Sequence, residues 1–381
     1  MDFKLSEEHE LFRRTAREFA QKELEPRAKE FEDKHEIPKD VLQKLGELGY
    51  LGLAVPEAYG GVGADALSYA IVMEELSKAC ASTSTVVTVQ NTLVEFPIVE
   101  FGTEAQKRKY LPKLATGEWF GAFALTEPES GSDAAGMKTT ARREGDVYVL
   151  NGSKRFITNA AFARLFVVFA LTAPEAGNRG VSCFLVERDT PGFTVGREED
   201  KMGIRGTSTC ELFFEDCRVP AENLLGEENK GFKIAMLTLD AGRIGIAAQA
   251  LGIAEAAFDE ALKYAQERTA FGQPLAAFQA IQFKLADMKA QIEAARWLVY
   301  HAAWKKDQGE DYILESSLAK LYASEVASRV ADEAVQIHGG YGYIRDYKVE
   351  RLYRDARITR IYEGTSEIQK LIIARQLLGR K

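Results

Sequence analysis

Along this chain the apolar residues recur every three to four positions, then every second, then every three to four again, the signatures of helix, strand and helix in turn. From Leu5 to about Phe120 the period is helical. Leu11, Phe12, Ala16, Phe19 and Ala20 share one face of a predicted helix capped by Ser6. Pro38 stands where a second helix would begin, and Val41, Leu42, Leu45 and Leu48 follow on one side of it. Ala64–Ala79 and Glu104–Leu114 predict further amphipathic helices, the latter opening after a Gly102-Thr103 break.

The period shortens between Gly121 and Gly226. Val147–Leu150, the pair Asn151-Gly152 and then Lys154–Thr158 predict a hairpin with a two-residue turn. Phe166–Phe169, Ser182–Val186, Phe193–Val195 and Glu211–Phe214 are further strands by the same rule. Glycines and prolines punctuate them closely, as in a small antiparallel barrel or sandwich. Beyond Gly231 long alanine-rich runs return, among them Ile244–Leu262 and Leu285–Ala303. Helices of that length joined by short loops predict an antiparallel bundle. The expected architecture is α+β and multidomain: a helical domain over 1–120, a β-domain over 121–226 and a helical bundle over 227–381.

With 381 residues, 46% hydrophobic and 28% charged, the chain has the balance of a soluble protein with more than one core. Its net charge of −8 argues against phosphate-tracking contact with nucleic acid, which needs a basic face. Cys80, Cys183, Cys210 and Cys217 form no C-x-x-C pair and read as small buried hydrophobes of a reducing compartment. His9, His35, His301 and His338 are scattered, so no metal centre is expected. The longest apolar stretch, roughly Leu165–Ala173, is too short for a bilayer, which takes about 20 residues. Met1–Glu8 lacks an apolar signal core, and the cytoplasm is the expected location.

Four segments could carry chemistry. Ala124–Asp133 breaks from an apolar element into a hydroxyl-rich loop where Gly131 permits close backbone approach. Small donors of this kind suit the polar edge of a flat heterocycle, and equally an Asx or Ser turn. Gln336–Tyr343 follows a helix, and its paired glycines either admit a pyrophosphate or simply end the helix. In Arg360–Gln369 the spacing of Ser366 and Gln369 is that of a capping box, leaving Glu363 just before a helix N-terminus. A carboxylate there is either functional or solvated and favoured by the helix dipole. Arg268, with Gln279 and Gln282 downstream, could grip a pyrophosphate or sit in a surface salt bridge.

Taken in order, these segments resemble the acyl-CoA dehydrogenase family from Leu5 to the C-terminus. The most specific matches are Ala124–Asp133 and Gln336–Asp355, where Asp346, Arg351 and Asp355 follow the glycine run at the family's intervals. The resemblance implies an N-terminal helical domain, a central β-domain and a C-terminal four-helix bundle around FAD. It implies that Phe123, Leu125, Thr126 and Ser132 belong to the flavin-binding loop, with Thr126 beside the isoalloxazine and Ser132 also touching substrate. Phe156, Ile157 and Thr158 match the strand that covers the flavin, Thr158 near N5. Phe156 stands where many relatives carry Trp, so an aromatic face is kept and an indole N–H is lost. Arg268, Gln279, Gln336, Ile337, His338, Gly339 and Gly340 match positions that reach FAD across a subunit interface, which implies a homo-oligomer, usually a tetramer.

Phe232, Asp240 and Arg243 match acyl-CoA contacts, Gly364 lies beside the thioester, and Thr365, Ser366 and Glu367 return to FAD. Glu363 takes the family's usual base position. A subset of relatives places the base on the Leu239–Arg243 segment instead, where this chain has Gly242. The implied reaction converts a short- to medium-chain acyl-CoA to the trans-2-enoyl-CoA. Glu363 takes the α-proton, the flavin takes the β-hydride and an electron-transferring flavoprotein receives the electrons. Thr85–Pro97 resembles the helix that floors the acyl pocket, and Ser84 stands where glutaryl-type relatives carry Arg, which disfavours a dicarboxylic substrate. Two other functions suit the same scaffold: an acyl-CoA oxidase using O₂, whose representatives usually carry an extra C-terminal domain, and a flavin-bearing binding or DNA-repair module that does not require Glu363.

Overall fold

The computed structural model describes residues 4–379; residues 1–3, within Met1–Glu8 and the first expected domain, and residues 380–381, at the end of the last, lie outside them. The first part is helical: α1 (Glu7–Phe19), α2 (Ala28–Lys34), α3 (Lys39–Glu47), α4 (Ala66–Ala79), α5 (Ala81–Thr88), α6 (Phe96–Phe101) and α7 (Glu104–Ala115). Ser6 caps α1, its side chain accepting from the His9 N–H, and α3 starts directly after Pro38. The buried stripes are narrower than the apolar pattern suggests. Leu11 is 51% exposed and Leu48 39%, while Ala16, Phe19, Val41 and Leu45 face the core. Between α5 and α6, Val89–Glu95 winds as a wider π-helix, buried throughout. Such turns recur at functional sites because they re-aim side chains within a continuous rod.

The middle part holds β1 (Gly121–Ala124), β2 (Thr140–Glu144), β3 (Val147–Thr158), β4 (Leu165–Leu171), β5 (Val181–Glu187), β6 (Phe193–Glu198), β7 (Thr209–Pro220) and β8 (Leu224–Leu225). They form one sheet in the order β6-β7-β3-β2-β4-β5-β8, with β1 also beside β4. The antiparallel barrel or sandwich is thus corrected in two respects. The sheet does not close on itself, and β1 and β2 both run parallel to β4 along the same edge. A parallel pair needs a long connection, and the segment from β1 to β4, with the β2–β3 hairpin inside it, supplies one.

The hairpin turn is also elsewhere. Gly145-Asp146 joins β2 to β3, whereas Asn151-Gly152 lies inside β3 at a register shift against β7. Asn151 and Asp216 exchange hydrogen bonds at 3.1 and 2.9 Å, and a Cβ on Gly152 would press into Thr139. The dipeptide therefore makes a bulge with a close strand approach rather than a chain reversal.

The last part is helical, as expected, and contains α8 (Gly231–Glu267), α9 (Gln279–Asp307), α10 (Ile313–His338), α11 (Lys348–Ile358) and α12 (Ser366–Leu377). The three long ones pack with α4 into the largest core, and α11 and α12 flank α10. By length and composition α8 could cross a bilayer, which the Leu165–Ala173 estimate misses, but 83% of its apolar window is buried inside the protein. It is the central helix of the core.

Candidate active site

The loop between α11 and α12 turns through two consecutive residues of positive φ, Glu363 at 52° and Gly364 at 92°. Two buried side chains hold it from one side. Lys320 of α10 donates through Nζ to the Tyr362 carbonyl at 2.9 Å and to the Gly364 carbonyl. Gln369 of α12 donates to the Gly364 carbonyl at 3.0 Å and the Glu363 carbonyl at 3.4 Å. The Glu363 side chain reaches α8, where a Cβ on Gly242 would collide with its Oε2. That oxygen is buried and has no hydrogen-bond partner among the described residues. Burial pushes the carboxyl up to about 7, against the pull of the Lys320 and Arg243 charges. A carboxyl so placed can take a proton at neutral pH.

Around it the walls are mixed. Leu93 of the π-helix lies on the same spot of α8 as the carboxylate, 3.3 Å from where a Gly242 Cβ would be. The Tyr362 hydroxyl donates to Gln249 Oε1, and Gln249 Nε2 donates in turn to the Ala81 carbonyl, Ser84 Oγ and Thr85 Oγ1 at 3.0, 3.0 and 2.8 Å. This brace ties α8 to the start of the Thr85–Pro97 segment. On either side of Gly242, Asp240 and Arg243 form a buried ion pair, and Arg243 also reaches Ser317 Oγ at 3.5 Å. Burial raises the Asp240 carboxyl while Arg243 opposes it. Arg243 Nε and Thr238 Oγ1 stay buried without partners. The Glu363 side chain thus meets the stretch of α8 that carries Asp240 and Arg243, while Gly364 lies against Gln369 of α12 and Phe232 is half-buried at the start of α8.

The hydroxyl-rich loop is pinned to β3. Arg155 N–H donates to the Thr126 carbonyl at 2.9 Å, and the fully buried Lys154 donates to the Leu125 carbonyl at 3.2 Å and to Glu127 Oε1 at 2.7 Å. Glu127 also accepts from the Lys138 and Thr139 N–H groups at 2.6 and 3.1 Å. Burial brings the Lys154 ammonium down to about 8, with Glu127 opposing the fall. Within the loop Ser130 Oγ donates to the Asp133 carbonyl at 2.6 Å, Glu127 and Ser130 exchange backbone hydrogen bonds at 3.0 and 3.1 Å, and Ser132 is exposed. Phe123 packs edge-on against Phe169.

The strand predicted straight over Lys154–Thr158 is bulged. Its register against β7 shifts between Lys154 and Ile157, and Phe156, at φ 59°, leaves its ring 59% exposed with the Arg155 guanidinium 5.2 Å above it. Ile157 returns to the core and Thr158 lies half-buried opposite Thr209. The bulge is what aims the aromatic face outward.

A cavity of about 540 Å³ gathers Arg268, Ile337, His338, Gly339 and Gly340 with Tyr264 and Tyr341. The Arg268 guanidinium sits 5.4 Å over the Tyr341 ring, and His338 stacks on Tyr264. Gln279 and Gln336 are exposed and do not line this cavity. No lining residue comes from the sheet, so the single chain presents the flavin-loop patch and this patch separately. The start of α12 is corrected as well. Thr365, not Ser366, is the cap, accepting from the Ile368 N–H at 3.3 Å. Ser366 donates to Glu325 at 3.0 Å, Gln369 is committed to the loop carbonyls, and Glu367 is exposed.

Sequence reasoning missed Lys320, Gln249, Lys154 and Glu127. The available signal was a lysine on the same stripe of α10 as Ser316, Ala319 and Ala323, all buried.

These features fit FAD. A Cβ added at Gly131, Gly339 or Gly340 meets nothing within 4 Å, so backbone at both patches faces open space, with an exposed aromatic face at one and a guanidinium at the other. Together with the dry carboxyl they define a flavin-dependent oxidoreductase. The chain belongs to the acyl-CoA dehydrogenase family: that family's N-terminal domain matches residues 6–118, its middle domain 122–217 and its C-terminal domain 229–378.

Short-chain specific acyl-CoA dehydrogenase, mitochondrial, of Mus musculus is 53% identical over 98% of this chain and 91% of its own length. An acyl-CoA dehydrogenase of Bacillus subtilis is 52% identical over 98% and 99%. The structure of butyryl-CoA dehydrogenase from Megasphaera elsdenii superposes with a TM-score of 0.97 at 51% identity, covering 99% of this chain and all of the other. A chain solved in work on the electron transferring flavoprotein of Acidaminococcus fermentans does so with a TM-score of 0.98 at 51% identity, with the same coverage. The family's members are FAD-dependent oxidoreductases, and this chain is one of them.

Proposed function

We propose that the chain dehydrogenates a short, straight acyl-CoA between its α and β carbons, with Glu363 as the base. One observation carries the reading: the Glu363 carboxylate presents a buried oxygen with no partner, at the spot on α8 between Asp240 and Arg243. An α-proton of a thioester is too weakly acidic for a carboxylate in water, so the site must stay dry and supply a donor to the thioester oxygen. The Glu363 N–H is that donor, and Asp240, Arg243, Phe232, Gly364 and Ser132 hold the acyl-CoA. Bound FAD supplies the hydride acceptor. Phe123, Leu125, Thr126, Ser132, Phe156, Ile157 and Thr158 hold its ring end. Arg268, Gln279, Gln336, Ile337, His338, Gly339 and Gly340, with Thr365, Ser366 and Glu367, hold the rest.

The short chain is supported by the Gln249 brace, which closes the ground behind Tyr362 with satisfied hydrogen bonds, and by Ser84, which is engaged in it. An electron-transferring flavoprotein is the proposed acceptor, on the company kept by the Acidaminococcus relative. We further propose domain boundaries at 120/121 and 226/227, where helices give way to strands and back. A homotetramer is supported by the separation of the two FAD patches on one chain, which a second copy would bridge. A cytoplasmic setting away from the membrane is supported by four buried, unpaired cysteines and by the burial of α8.

Anaerobic flavin bleaching with a series of acyl-CoA lengths tests the reading. Bleaching should be fastest with four-carbon chains or their close neighbours, and Glu363→Gln should keep FAD while losing at least roughly 10³-fold in rate. Normal bleaching in that variant would remove Glu363 from the chemistry.

A further inference from the structure

We infer that Lys320 is a positioning residue of the reaction: by holding the Tyr362 and Gly364 carbonyls it turns the Glu363 N–H and side chain toward the acyl site. The inference rests on the reading of Glu363 as the base. Its warrant is the geometry of the peptide group. The Tyr362 carbonyl and the Glu363 N–H belong to one planar unit and point in opposite directions. With the carbonyl drawn to Lys320 Nζ at 2.9 Å, the N–H must face away from α10. It donates to nothing among the described residues. The Gly364 carbonyl is drawn to the same ammonium, beside the Gln369 amide, so one atom reaches the peptides on both sides of the residue pair.

Such a hold is needed because Glu363 lies in the left-handed region, which a side-chain-bearing residue adopts only when its surroundings impose it. Packing alone would not choose lysine here. Lys320 is fully buried, forms no ion pair among the described residues, and burial depresses its ammonium to about 7. An apolar residue of the same length would avoid that desolvation. What only a donor can do at this position is order the two carbonyls.

The test uses full-length, FAD-loaded Lys320→Met, which keeps the length and removes the donors, and Lys320→Gln, which keeps one donor group. Three quantities are measured: flavin content, anaerobic flavin reduction by butyryl-CoA, and affinity for two probes. The first probe, acetoacetyl-CoA, is acidic enough to bind as its enolate; the second, crotonyl-CoA, is a neutral thioester. Lys320→Met should hold FAD and bind crotonyl-CoA within about 2-fold of the parent. It should lose roughly 100-fold both in flavin reduction and in its preference for acetoacetyl-CoA, the scale of a lost oxyanion donor. Lys320→Gln should fall between.

A Lys320→Met protein that reduces its flavin at the parent rate, an equal loss for both probes, or loss of FAD from both variants would overturn the inference. Glu363→Gln run in parallel separates the two failures. Normal reduction there takes down the base assignment and this inference with it. An inert Glu363→Gln beside a normal Lys320→Met takes down this inference alone.

Discussion

Among the described residues two lysines are buried, each near a glutamate, and the two carboxylates are treated in opposite ways. Under the flavin loop, Lys154 meets Glu127 directly at 2.7 Å, and two backbone N–H groups complete the carboxylate's shell, so its pKa falls despite burial. In the helical core, Lys320 spends its donors on carbonyls and leaves Glu363 Oε2 bare, so burial wins and the pKa rises. Both carboxylates face a buried ammonium, but they differ in hydrogen-bond supply: Glu127 is given donors on both oxygens and Glu363 Oε2 has none among the described residues. A carboxylate that is given donors is held ionised; one that is denied them, as the proposed base is, is left able to take up a proton.

That contrast can be attacked where it is strongest. Lys154→Met strands Glu127 in the interior and should cost about 3–5 kcal/mol, read from denaturant unfolding. Adding Glu127→Gln, which removes the stranded charge and keeps an acceptor for the backbone donors, should recover most of it; if the double variant is as unstable as the single, the two residues are not a pair. A change of pH probes the other glutamate. Flavin reduction should rise with pH and level off above about 7, as Glu363 gives up its proton. It should fall about tenfold per unit below that.

Stability follows the opposite sign. The folded carboxyl titrates above its unfolded value of about 4.3, so folding takes up a proton and the Glu363 penalty grows as pH climbs from there to about 7. Glu363→Gln should therefore match the parent near pH 4 and exceed it in stability near pH 8, and a parallel pair of curves would contradict the assigned burial. The smallest effect concerns the end of the loop: Thr365→Ala should cost about 1 kcal/mol through the lost cap of α12, and Ser366→Ala clearly less.

Much of this was legible in the residues and some could not be. The changes of apolar period marked out helices, strands and helices because each rests on local geometry. Glu363, Gly364, Asp240 and Arg243 are legible only through resemblance; the structure brings the Glu363 side chain onto α8 at Gly242, next to Arg243 in the chain. The sheet's parallel edge was hidden, since pairing of β1 with β4 is decided by partners far along the chain. Asn151-Gly152 misled for a chemical reason: the same freedom at positive φ serves a tight turn and a bulge alike. Lys320 and Lys154 passed unnoticed because a lysine in a sequence looks solvated, and only the packing of α10 and β3 shows them to be dry.

One further consequence belongs to α8. At 37 residues it is a shaft of about 55 Å, and it carries Phe232, Asp240, Gly242, Arg243 and Gln249 before delivering Arg268 at its far tip. Each of these has both a height and a compass bearing on a single rod. Inserting one residue past Gln249 would swing everything beyond it through about 100° and lengthen the rod by about 1.5 Å. The helix therefore acts as a ruler between the Glu363 pocket and the Arg268 cavity, and its length is as much a part of the design as any side chain it bears.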